Sequence, residues 1–454
     1  MNARHGAGNA GRAAPARRVA AEVLAAVREQ DAYANLVLPG RIAEARLSAA
    51  DAALATELTY GTLRMLGRYD RIIRIAANRD TDAIDPVVLD VLRLGVHQLL
   101  ATRIPAHAAV GDTVALAPRR ATGFVNGVLR TVSRSTPEEW DARVVEGLDG
   151  DARLAAEFSH PEWVVAAFRD ALDADGHAAE LEELLAADNA APAVSLVALP
   201  GFARVDELGE PGVLAPTGAR SPAGDPAAVP AVAEGRARVQ DEGSQLAALV
   251  LSRAREIAPG ERWLDMCAGP GGKAALLAAE AREGGATLVA NELLPTRARL
   301  VRAALAVFDP APEVVEGDAV RFATTDPGGF DRILLDAPCT GLGALRRRPE
   351  ARWRKHPDDI PGLVALQTRL LDAAVAALKP GGLLAYVTCS PHPAETREAV
   401  ARVLERHPGL TALDTREVAG AIATSGLGPG TGPALQLWPH RHGTDAMFVQ
   451  LLTR

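Results

Sequence analysis

Two cysteines in the second half of the chain follow runs of apolar residues, where a thiol could take part in catalysis. Ile333–Leu335 is one such run, as expected of a strand that is buried on both faces of a parallel sheet. Asp336 ends the run, and Pro338 cannot continue a strand because it has no N–H to donate. Asp336 and Cys339 are therefore predicted to lie just beyond the carboxyl end of a central strand, where open α/β sheets bind ligands. The alternative is an ordinary strand exit with a buried, inert cysteine.

Cys389 follows a second apolar run, Leu383–Val387, and is predicted to stand at the end of another strand. The remaining cysteine is Cys267. Three cysteines cannot form a disulfide framework, and their spacing is not that of metal ligands. We therefore expect no bound metal and a reducing compartment, the cytoplasm.

A glycine-rich turn joins a short predicted strand, Arg262–Met266, to a predicted helix. Glycines let the backbone approach a ligand closely, and the first turn of a helix offers unpaired N–H groups. The turn lacks the spacing of a Walker loop, and a proline inside it argues against the usual dinucleotide fingerprint. The turn consists of Cys267, Ala268, Gly269, Pro270, Gly271, Gly272 and Lys273, and on its own it is a weak signal for a bound ligand.

Three acidic residues stand at the ends of the strands that follow this turn. Glu292 lies about 20 positions further on, where an acidic residue would bind the hydroxyls of a ribose. Asp318 is placed where it could hold an adenine amino group, and Asp336 ends the next strand. Each alone could be a solvated strand end, but together with the turn they predict an adenosine-type cofactor. Because a pyrophosphate-binding loop is missing, S-adenosylmethionine is favoured over a dinucleotide.

Two thiols beside a methyl donor point to methylation of carbon 5 of a cytosine. That carbon is a weak nucleophile because it belongs to a conjugated ring. A thiolate that adds to carbon 6 breaks the conjugation and makes carbon 5 reactive, and loss of the carbon 5 proton with release of the thiolate completes the reaction. A carboxylate near N3 and the exocyclic amine would stabilise the addition. The residues alone do not decide which thiol is the nucleophile.

Length and composition describe the framework that must hold these residues. With 454 residues, about three domains are expected, and 48% hydrophobic against 23% charged residues indicate a soluble globular chain. We find no run of about 18 apolar residues and expect no membrane span. A net charge of −8 excludes general coating of nucleic acid, so any such binding must use local basic patches.

Four segments are predicted along the chain. Residues 1–13 form a basic tail that we expect to be disordered, with a transit peptide as the alternative. Residues 14–138 have the helical spacing of apolar residues, with Asp85 and Pro86 at one helix start. Residues 139–238 are predicted to form linker helices and a small α+β module, and residues 239–454 an α/β domain.

Two groups of basic residues could contact nucleic acid. The first lies in the helical region and consists of Arg119, Arg120, Arg130 and Arg134. The second lies between the two cysteines, and its predicted RNA-contacting members are Arg346, Arg347, Arg348, Arg352, Trp353 and Arg354. Basic side chains suit phosphate contacts, and the tryptophan suits base stacking. For each group the alternative is a charged face that contacts only solvent.

Four motifs in the second half of the chain resemble the RNA (cytosine-5) methyltransferases of the Nop2/Sun family. They are DMCAGPGGK, LLDAPCTGLGALRRRPEARWR, YVTCSPHPAE and WPHRHGTDAMF. Three motifs in the first third, ELTYGTLRMLGRYD, LDVLRLGVHQLL and ATGFVNGVLRTV, resemble the NusB-type domain, an all-α RNA-binding fold. Together these resemblances imply a NusB-like helical domain, a small α+β module and a Rossmann-like class I methyltransferase domain that uses S-adenosylmethionine.

The resemblance also implies roles for single residues. The family's nucleophile is the cysteine of its Thr-Cys motif, here Cys389, and the Pro-Cys thiol, here Cys339, assists release of the product. With Asp336 and Lys273 they make up the predicted catalytic set. The resemblance also implies that the cofactor contacts are Cys267 through Lys273, Glu292, Asp318 and Asp336. The chain departs from the family pattern at Gly269 (more often Ala), at Ala274 (more often Thr) and at Ala446-Met447 (more often Gly-Phe). The last departure concerns the shape of the target pocket.

The resemblance makes a cytosine in small-subunit ribosomal RNA the expected substrate, and we expect a monomer. Transfer RNA is the alternative substrate, and a catalytically silent RNA-binding or antitermination factor is the alternative class of protein. The joint presence of Cys339, Cys389, Asp336 and Lys273 argues against a silent factor. A DNA cytosine methyltransferase is disfavoured, because in that family the Pro-Cys thiol is the nucleophile and a Thr-Cys thiol would have no role.

Overall fold

The computed structural model describes residues 14–222 and 224–454, which form two compact units. The first unit contains the described chain up to Val165 together with Arg346–Arg354, and the second contains Ala166–Leu345 and Lys355–Arg454. The predicted basic tail, residues 1–13, lies outside the described residues. The domain boundaries that the sequence indicates at residues 139 and 239 stay a prediction.

The first unit is built from helices, as predicted for this region. They are α1 (Pro15–Glu29), α2 (Ala34–Glu44), α3 (Ala49–Arg64), α4 (Leu66–Ala77), α5 (Pro86–Ala101), α6 (Ala106–Val114), α7 (Thr122–Val132), α8 (Pro137–Val145) and α9 (Gly150–Phe158). Asp85 caps α5 by accepting a hydrogen bond from the N–H of Val87, and Pro86 occupies the first position of that helix. Two apolar clusters, one around Leu58 and one around Leu92, form the core of the unit.

A small antiparallel sheet follows in the second unit. The elements that lead to it and form it are α10 (Glu162–Ala174), which contains the division between the units, α11 (Leu181–Asp188), β1 (Ser195–Ala198), β2 (Glu210–Pro211), β3 (Gly218–Arg220), α12 (Pro230–Ala233) and β4 (Ala237–Val239). The strand order is β2-β3-β1-β4, and all three pairings are antiparallel. The predicted small α+β module is therefore confirmed.

The rest of the second unit is an eight-stranded sheet with helices on its faces. Its elements are α13 (Glu242–Arg253), β5 (Arg262–Asp265), α14 (Gly272–Glu283), β6 (Thr287–Glu292), α15 (Pro295–Leu305), β7 (Glu313–Glu316), α16 (Phe322–Thr325), β8 (Phe330–Asp336), α17 (Ile360–Ala377), β9 (Leu378–Thr388), α18 (Arg397–Arg406), β10 (Thr411–Ala412), α19 (Thr415–Ile422), β11 (Leu435–Gln436), α20 (Pro439–His442) and β12 (Phe448–Thr453). The order is β10-β12-β9-β8-β5-β6-β7, with β11 paired to β12. Strands β5 to β9 are mutually parallel, and β12 is antiparallel to β9. The predicted Rossmann-like fold class is confirmed.

Helix α17 belongs to the core of this unit. By length and composition alone, the segment Pro357–Ala377 is long and apolar enough to cross a membrane. In the structure Leu370 and Leu371 are buried in the apolar cluster that includes the interior of β8 and β9. The buried Gln367 donates a hydrogen bond to the carbonyl of Pro338, beside Cys339. The apolar composition of α17 therefore matches its position against the sheet.

Candidate active site

The predicted site residues gather at one edge of the large sheet. Because β5 to β9 run parallel, their carboxyl ends meet at the same edge. Asp265 ends β5, Glu292 ends β6, Asp336 ends β8 and Cys389 directly follows β9. The convergence that the sequence indicates for Glu292, Asp336 and Cys389 is therefore present.

The two predicted catalytic thiols lie side by side. The Sγ atoms of Cys339 and Cys389 are 3.5 Å apart. The N–H of Ala337 donates to the carbonyl of Val387 at 2.9 Å, which continues the pairing of β8 with β9 almost to the cysteines. Both residues are free cysteines. The predicted meeting of two thiols in one place is thus observed, while their separate roles stay a prediction.

A cation lies next to this thiol pair. Lys273, in the first turn of α14, donates from Nζ to Oδ2 of Asp336 at 2.9 Å. Burial alone would lower the pKa of Lys273, but the adjacent Asp336 carboxylate outweighs burial and raises it. Lys273 therefore carries its positive charge beside the thiols.

The charges around the two thiols are unequal. The hydrogen bond with Cys339 lowers the pKa of Cys389 against the opposing effects of burial and of the Asp336 carboxylate, and the charge of Lys273 adds to the lowering. The same hydrogen bond, burial and the charge of Glu395 raise the pKa of Cys339. These opposite shifts favour Cys389 as the thiol that loses its proton first, in agreement with the predicted roles, which stay a prediction.

Removal of the Cys339 thiol is expected to raise the pKa of Cys389. Cys339→Ala deletes the donor that stabilises the Cys389 thiolate, so a higher pH is needed to form that thiolate. Loss of a hydrogen bond worth roughly 1.4 kcal/mol corresponds to about one pH unit. The measurement is the rate at which iodoacetamide alkylates Cys389 across the neutral and alkaline range, followed by mass spectrometry of its peptide.

Cys267→Ser is the matched control for this titration. Burial raises the pKa of Cys267, and the thiol of Cys267 is not part of the hydrogen-bonded pair. The midpoint for Cys389 should therefore be the same as in the unaltered protein. An unchanged midpoint in Cys339→Ala would contradict the hydrogen-bond assignment.

The glycine-rich turn, Cys267–Gly271, leads into α14, and we call this turn together with the first turn of α14 (Gly272 and Lys273) the cradle. Gly271 has a φ of 105°, which glycine adopts without strain, and a Cβ there would lie 2.5 Å from the Cβ of Ala304. A Cβ at Gly269 would lie 2.1 Å from Oε2 of Glu292, so alanine would need a shift of that carboxylate. Among the described residues no side chain caps the first turn of α14, which leaves its N–H groups available to a ligand.

The two acidic residues predicted to contact the nucleoside differ in their surroundings. Glu292 is buried, and it accepts hydrogen bonds from the N–H of Gly269 at 3.1 Å and from the N–H of Leu294 at 3.0 Å. Since a carboxylate can accept about four hydrogen bonds, Glu292 retains capacity for ribose hydroxyls. Asp318 is exposed and caps a short turn by accepting from the N–H of Val320.

Near the cradle, two buried side chains have oxygen atoms that accept no hydrogen bond of ordinary length and angle from the described residues. They are the carboxylate of Asp265 and Oε1 of Gln240, whose amide lies 3.5 Å from a Cβ placed on Gly272. Burial and the charge of Asp336 raise the pKa of Asp265 to about 8. A cationic ligand would favour its charged form, and S-adenosylmethionine carries an ammonium and a sulfonium. The residues at this edge therefore fit that cofactor.

Gly343 connects the segments of both thiols to Ala446, which lies two residues before β12. Its N–H donates to the carbonyl of Cys389 at 2.9 Å, and its own carbonyl accepts from the N–H of Ala446 at 2.9 Å. A Cβ at this position would lie 2.1 Å from the carbonyl oxygen of Ala446, a backbone atom that cannot rotate away. Glycine is therefore required if these three backbone segments are to stay in contact.

Gly343→Ala is expected to lower the rate of methyl transfer by about tenfold or more and to destabilise the protein by roughly 1–3 kcal/mol, as overpacking usually does. The added methyl group must push Ala446 away from Cys389. Initial rates and thermal unfolding measure the two effects. Gly362→Ala is the matched control, because a Cβ there meets nothing within 4 Å. Equal behaviour of the two variants would contradict the assignment.

The second basic group lies within the first unit, and most of it is not exposed. Arg352 is 0% exposed and Arg346 7% exposed. Trp353 packs on Gly67, while Arg348 and Arg354 lie over the ring of Tyr33. Arg347 is exposed. Of the six residues predicted to contact RNA, Arg346 and Arg352 are therefore buried, Arg348, Trp353 and Arg354 are half-buried, and Arg347 is exposed. Their contact with RNA stays a prediction.

The packed residues of this segment satisfy backbone groups at helix ends. Arg354 donates to the carbonyl of Val27 in the last turn of α1, and Arg352 donates to the carbonyls of Arg64 at the end of α3 and of Ser159 just after α9. Glu350 accepts from the N–H of Ala34, the first residue of α2. Cations suit carboxyl helix ends and anions suit amino ends. We name Arg346–Arg354 the capping segment.

The other basic group, Arg119, Arg120, Arg130 and Arg134, is exposed.

Four residues of the site were not predicted from the sequence: Gln240, Asp265, Gln367 and Glu395. Asp265 could have been found, because it ends β5 in the same way that Glu292 ends β6. Glu395 is the last residue of the motif YVTCSPHPAE, but the motif alone does not show that it contacts the segment of Cys339. Gln240 and Gln367 carry no local signal, since tertiary packing brings them to the cradle and to the cysteines.

Methyl transfer through a cysteine adduct needs a nucleophilic thiol, a second group to remove a proton, and a methyl donor at the same edge of the sheet. The pair Cys339–Cys389, with Lys273 and Asp336 beside it and the cradle in front of α14, provides this arrangement. The fold and the site define an S-adenosylmethionine-dependent methyltransferase that acts on carbon 5 of cytosine.

Comparisons with known proteins identify the family. Residues 253–453 match the family described as 16S rRNA methyltransferase RsmB/F, and residues 14–134 match the NusB family. The Ribosomal RNA small subunit methyltransferase B of Pseudomonas putida (strain KT2440) is 36% identical over 416 residues, which cover 89% of this chain and 92% of that protein. The chain belongs to the RsmB/F family of RNA cytosine-5 methyltransferases, as the resemblance predicted.

Two further comparisons concern the whole chain. The Mycobacterium tuberculosis (strain H37Rv) protein Rv1407 is 50% identical over 451 residues, covering 97% of this chain and 96% of that protein, and its name gives a methyltransferase without a substrate. The crystal structure of PH0851 covers 97% of this chain and 99% of its own, with a TM-score of 0.78 at 23% identity. The second comparison establishes a shared fold.

Proposed function

We propose that this protein methylates carbon 5 of a cytosine in small-subunit ribosomal RNA, and that it acts in the cytoplasm as a monomer. The 3.5 Å separation of Cys339 and Cys389 beside Lys273 carries the chemical part of the proposal. The name of the Pseudomonas putida relative supports the choice of RNA.

In the proposed reaction the target base leaves its stack and enters the site. Sγ of Cys389 bonds to carbon 6, and the electron pair of the C5–C6 double bond moves to carbon 5. Residues Cys267–Lys273 and Glu292 would hold S-adenosylmethionine, which would supply the methyl group on a positively charged sulfur that leaves with the bonding electrons. Cys339 releases its own proton to solvent, and its thiolate then removes the proton from carbon 5. The electron pair of that C–H bond re-forms the C5–C6 double bond, and Sγ of Cys389 leaves carbon 6 as a thiolate.

The charges at the site suit this order of events. Lys273 stabilises the Cys389 thiolate before addition. We expect Asp336, which accepts a hydrogen bond from Lys273, to accept one from the exocyclic amine of the base as well. Cys339 keeps its proton while Cys389 is negatively charged. Once Cys389 has bonded to the base, that charge is gone, so the pKa of Cys339 falls and its thiolate forms more easily.

A map of 5-methylcytosine in a deletion strain tests the proposed substrate. Bisulfite sequencing of small-subunit ribosomal RNA and of transfer RNA, with and without the gene, should show one or a few ribosomal cytosines that lose their methyl group. Re-expression of the unaltered protein should restore them, and Cys389→Ala should not. Loss of methylation in transfer RNA alone would contradict the ribosomal assignment and favour transfer RNA as the substrate.

A further inference from the structure

Glu395 is a buried carboxylate that contacts the segment of the first thiol. Its Oε1 accepts a hydrogen bond from the N–H of Thr340 at 2.9 Å, and its Oε2 accepts from the hydroxyl of Thr340 at 2.5 Å. Thr340 directly follows Cys339 in the chain. Glu395 is 0% exposed and lies six residues after Cys389, outside the set of residues that the sequence indicates for catalysis.

The same threonine reaches the segment of the second thiol. Oγ1 of Thr340 is 2.9 Å from Oγ of Ser390, and Ser390 directly follows Cys389. One carboxylate and two hydroxyl groups therefore connect the residues that follow the two cysteines. Thr340 and Ser390 are themselves buried, so water does not compete for these hydrogen bonds.

Gln367 completes the support on the other side of Cys339. Its Nε2 donates to the carbonyl of Pro338 at 2.9 Å and to Oε1 of Glu395 at 3.2 Å. The main chain at Glu395 is fixed in turn, because the hydroxyl of Tyr386 on β9 donates to its carbonyl at 2.7 Å. Both neighbours of Cys339 are thus held, directly or through Gln367, by Glu395.

The two thiols depend on Glu395 to different degrees. Cys389 directly follows β9, which is paired with β8 on one side and with β12 on the other, and its carbonyl accepts from the N–H of Gly343. Cys339 lies three residues beyond the end of β8, and the hydrogen bonds of its two neighbours end at Glu395 and Gln367. Loss of Glu395 should therefore displace Cys339 more than Cys389.

We propose that Glu395 is a positioning residue that holds Cys339 against Cys389, and that it serves product release more than methyl transfer. The proposal rests on the proposed function in one respect, namely that Cys389 adds to the base and Cys339 takes the proton from carbon 5. Without Glu395, Cys389 still bonds to carbon 6 and carbon 5 still receives its methyl group. Cys339 is then too far from carbon 5 to remove its proton, and the C6–Sγ bond persists.

The first test separates the two halves of the reaction. Glu395→Ala removes all three contacts, and Thr340→Val removes only the hydroxyl link while keeping the backbone N–H. Glu398→Gln is the matched control, because Glu398 is an exposed glutamate on α18 that pairs with Arg402. Single-turnover methyl transfer to ribosomal RNA, steady-state turnover, and the fraction of protein in an RNA adduct on denaturing gels are measured for each.

We expect single-turnover transfer by Glu395→Ala to fall by no more than about tenfold, because a displaced Cys339 no longer stabilises the Cys389 thiolate. Steady-state turnover should fall about a hundredfold, as for a misplacement of a reacting group by an ångström. The adduct should accumulate, with Thr340→Val showing the same pattern more weakly. Glu398→Gln should behave as the unaltered protein. Transfer and turnover that fall together, with no adduct in either variant, would overturn the proposal.

The second test needs no RNA. Dibromobimane becomes fluorescent when it has alkylated two neighbouring thiols, so it reports the pairing of Cys339 with Cys389 in a Cys267→Ser background. Glu395→Ala should slow this cross-linking about tenfold, and Glu398→Gln should not. Unchanged cross-linking in Glu395→Ala would overturn the proposal. If cross-linking slows but even the unaltered protein methylates no RNA, the proposed function fails and the positioning role of Glu395 stands.

Discussion

Replacement of Cys389 by alanine is expected to reduce methyl transfer by on the order of 10⁴-fold or more, because the reaction then lacks its nucleophile. Cys339→Ala should instead transfer one methyl group per protein molecule and then remain bonded to the RNA through Cys389. The measurement is incubation of each variant with RNA and radiolabelled S-adenosylmethionine. A labelled band that migrates above the protein on a denaturing gel identifies the adduct.

The double variant provides the control for this experiment. Cys339→Ala combined with Cys389→Ala should give neither turnover nor adduct, since the bond to the base can no longer form. An adduct in Cys389→Ala and its absence in Cys339→Ala would reverse the roles that we assign to the two thiols. The 3.5 Å separation of their Sγ atoms is compatible with either order, so this experiment alone decides the roles.

Arg352→Ala is expected to destabilise the first unit by about 3 kcal/mol. The guanidinium is 0% exposed and donates to the carbonyls of Arg64 and Ser159, which are left without this donor when the side chain is removed. Buried hydrogen bonds to a charged group contribute roughly 1.5–3 kcal/mol each. Thermal unfolding, together with hydrogen exchange at the carboxyl ends of α3 and α9, measures the loss.

Arg347→Ala is the matched control, because Arg347 is exposed in the same segment. The free energy of unfolding of Arg347→Ala should stay within about 0.5 kcal/mol of that of the unaltered protein. If Arg347 contacts a phosphate, Arg347→Ala should bind all RNA sequences more weakly by a similar factor. The slope of log affinity against log salt concentration should then be smaller by about one unit in this variant. Unchanged stability of Arg352→Ala with weakened RNA binding would show that Arg352 is an RNA contact and not a helix cap.

The sheet and most of its carboxyl edge could be predicted from the sequence, because the relevant signals are local. A buried parallel strand is a short apolar run, and a polar residue that ends it must lie at the ligand-binding edge. That rule places Glu292, Asp336 and Cys389 correctly, and it applies equally to Asp265. The distance between the two thiols is not local, since it is set by the pairing of β8 with β9 and by Gly343.

The capping segment shows where composition fails as a guide. A run rich in arginine has the same composition whether its side chains reach solvent or helix ends. Arg352 and Arg354 donate to carbonyls of α1, α3 and α9, which lie between about 190 and 330 positions away in the sequence. Glu395 is hidden for the same reason, because its partners Thr340 and Gln367 come from other elements.

The capping segment also has a consequence for co-translational folding. The helices that it caps are synthesised first, yet their last partners, Arg352 and Arg354, emerge about 190 residues after Val165. At roughly 5–20 residues per second, the early helices wait about 10–40 s with exposed end groups. During that interval the carbonyl groups of Val27, Arg64 and Ser159 lack these donors, so the helical unit reaches its full stability only after the capping segment has been synthesised.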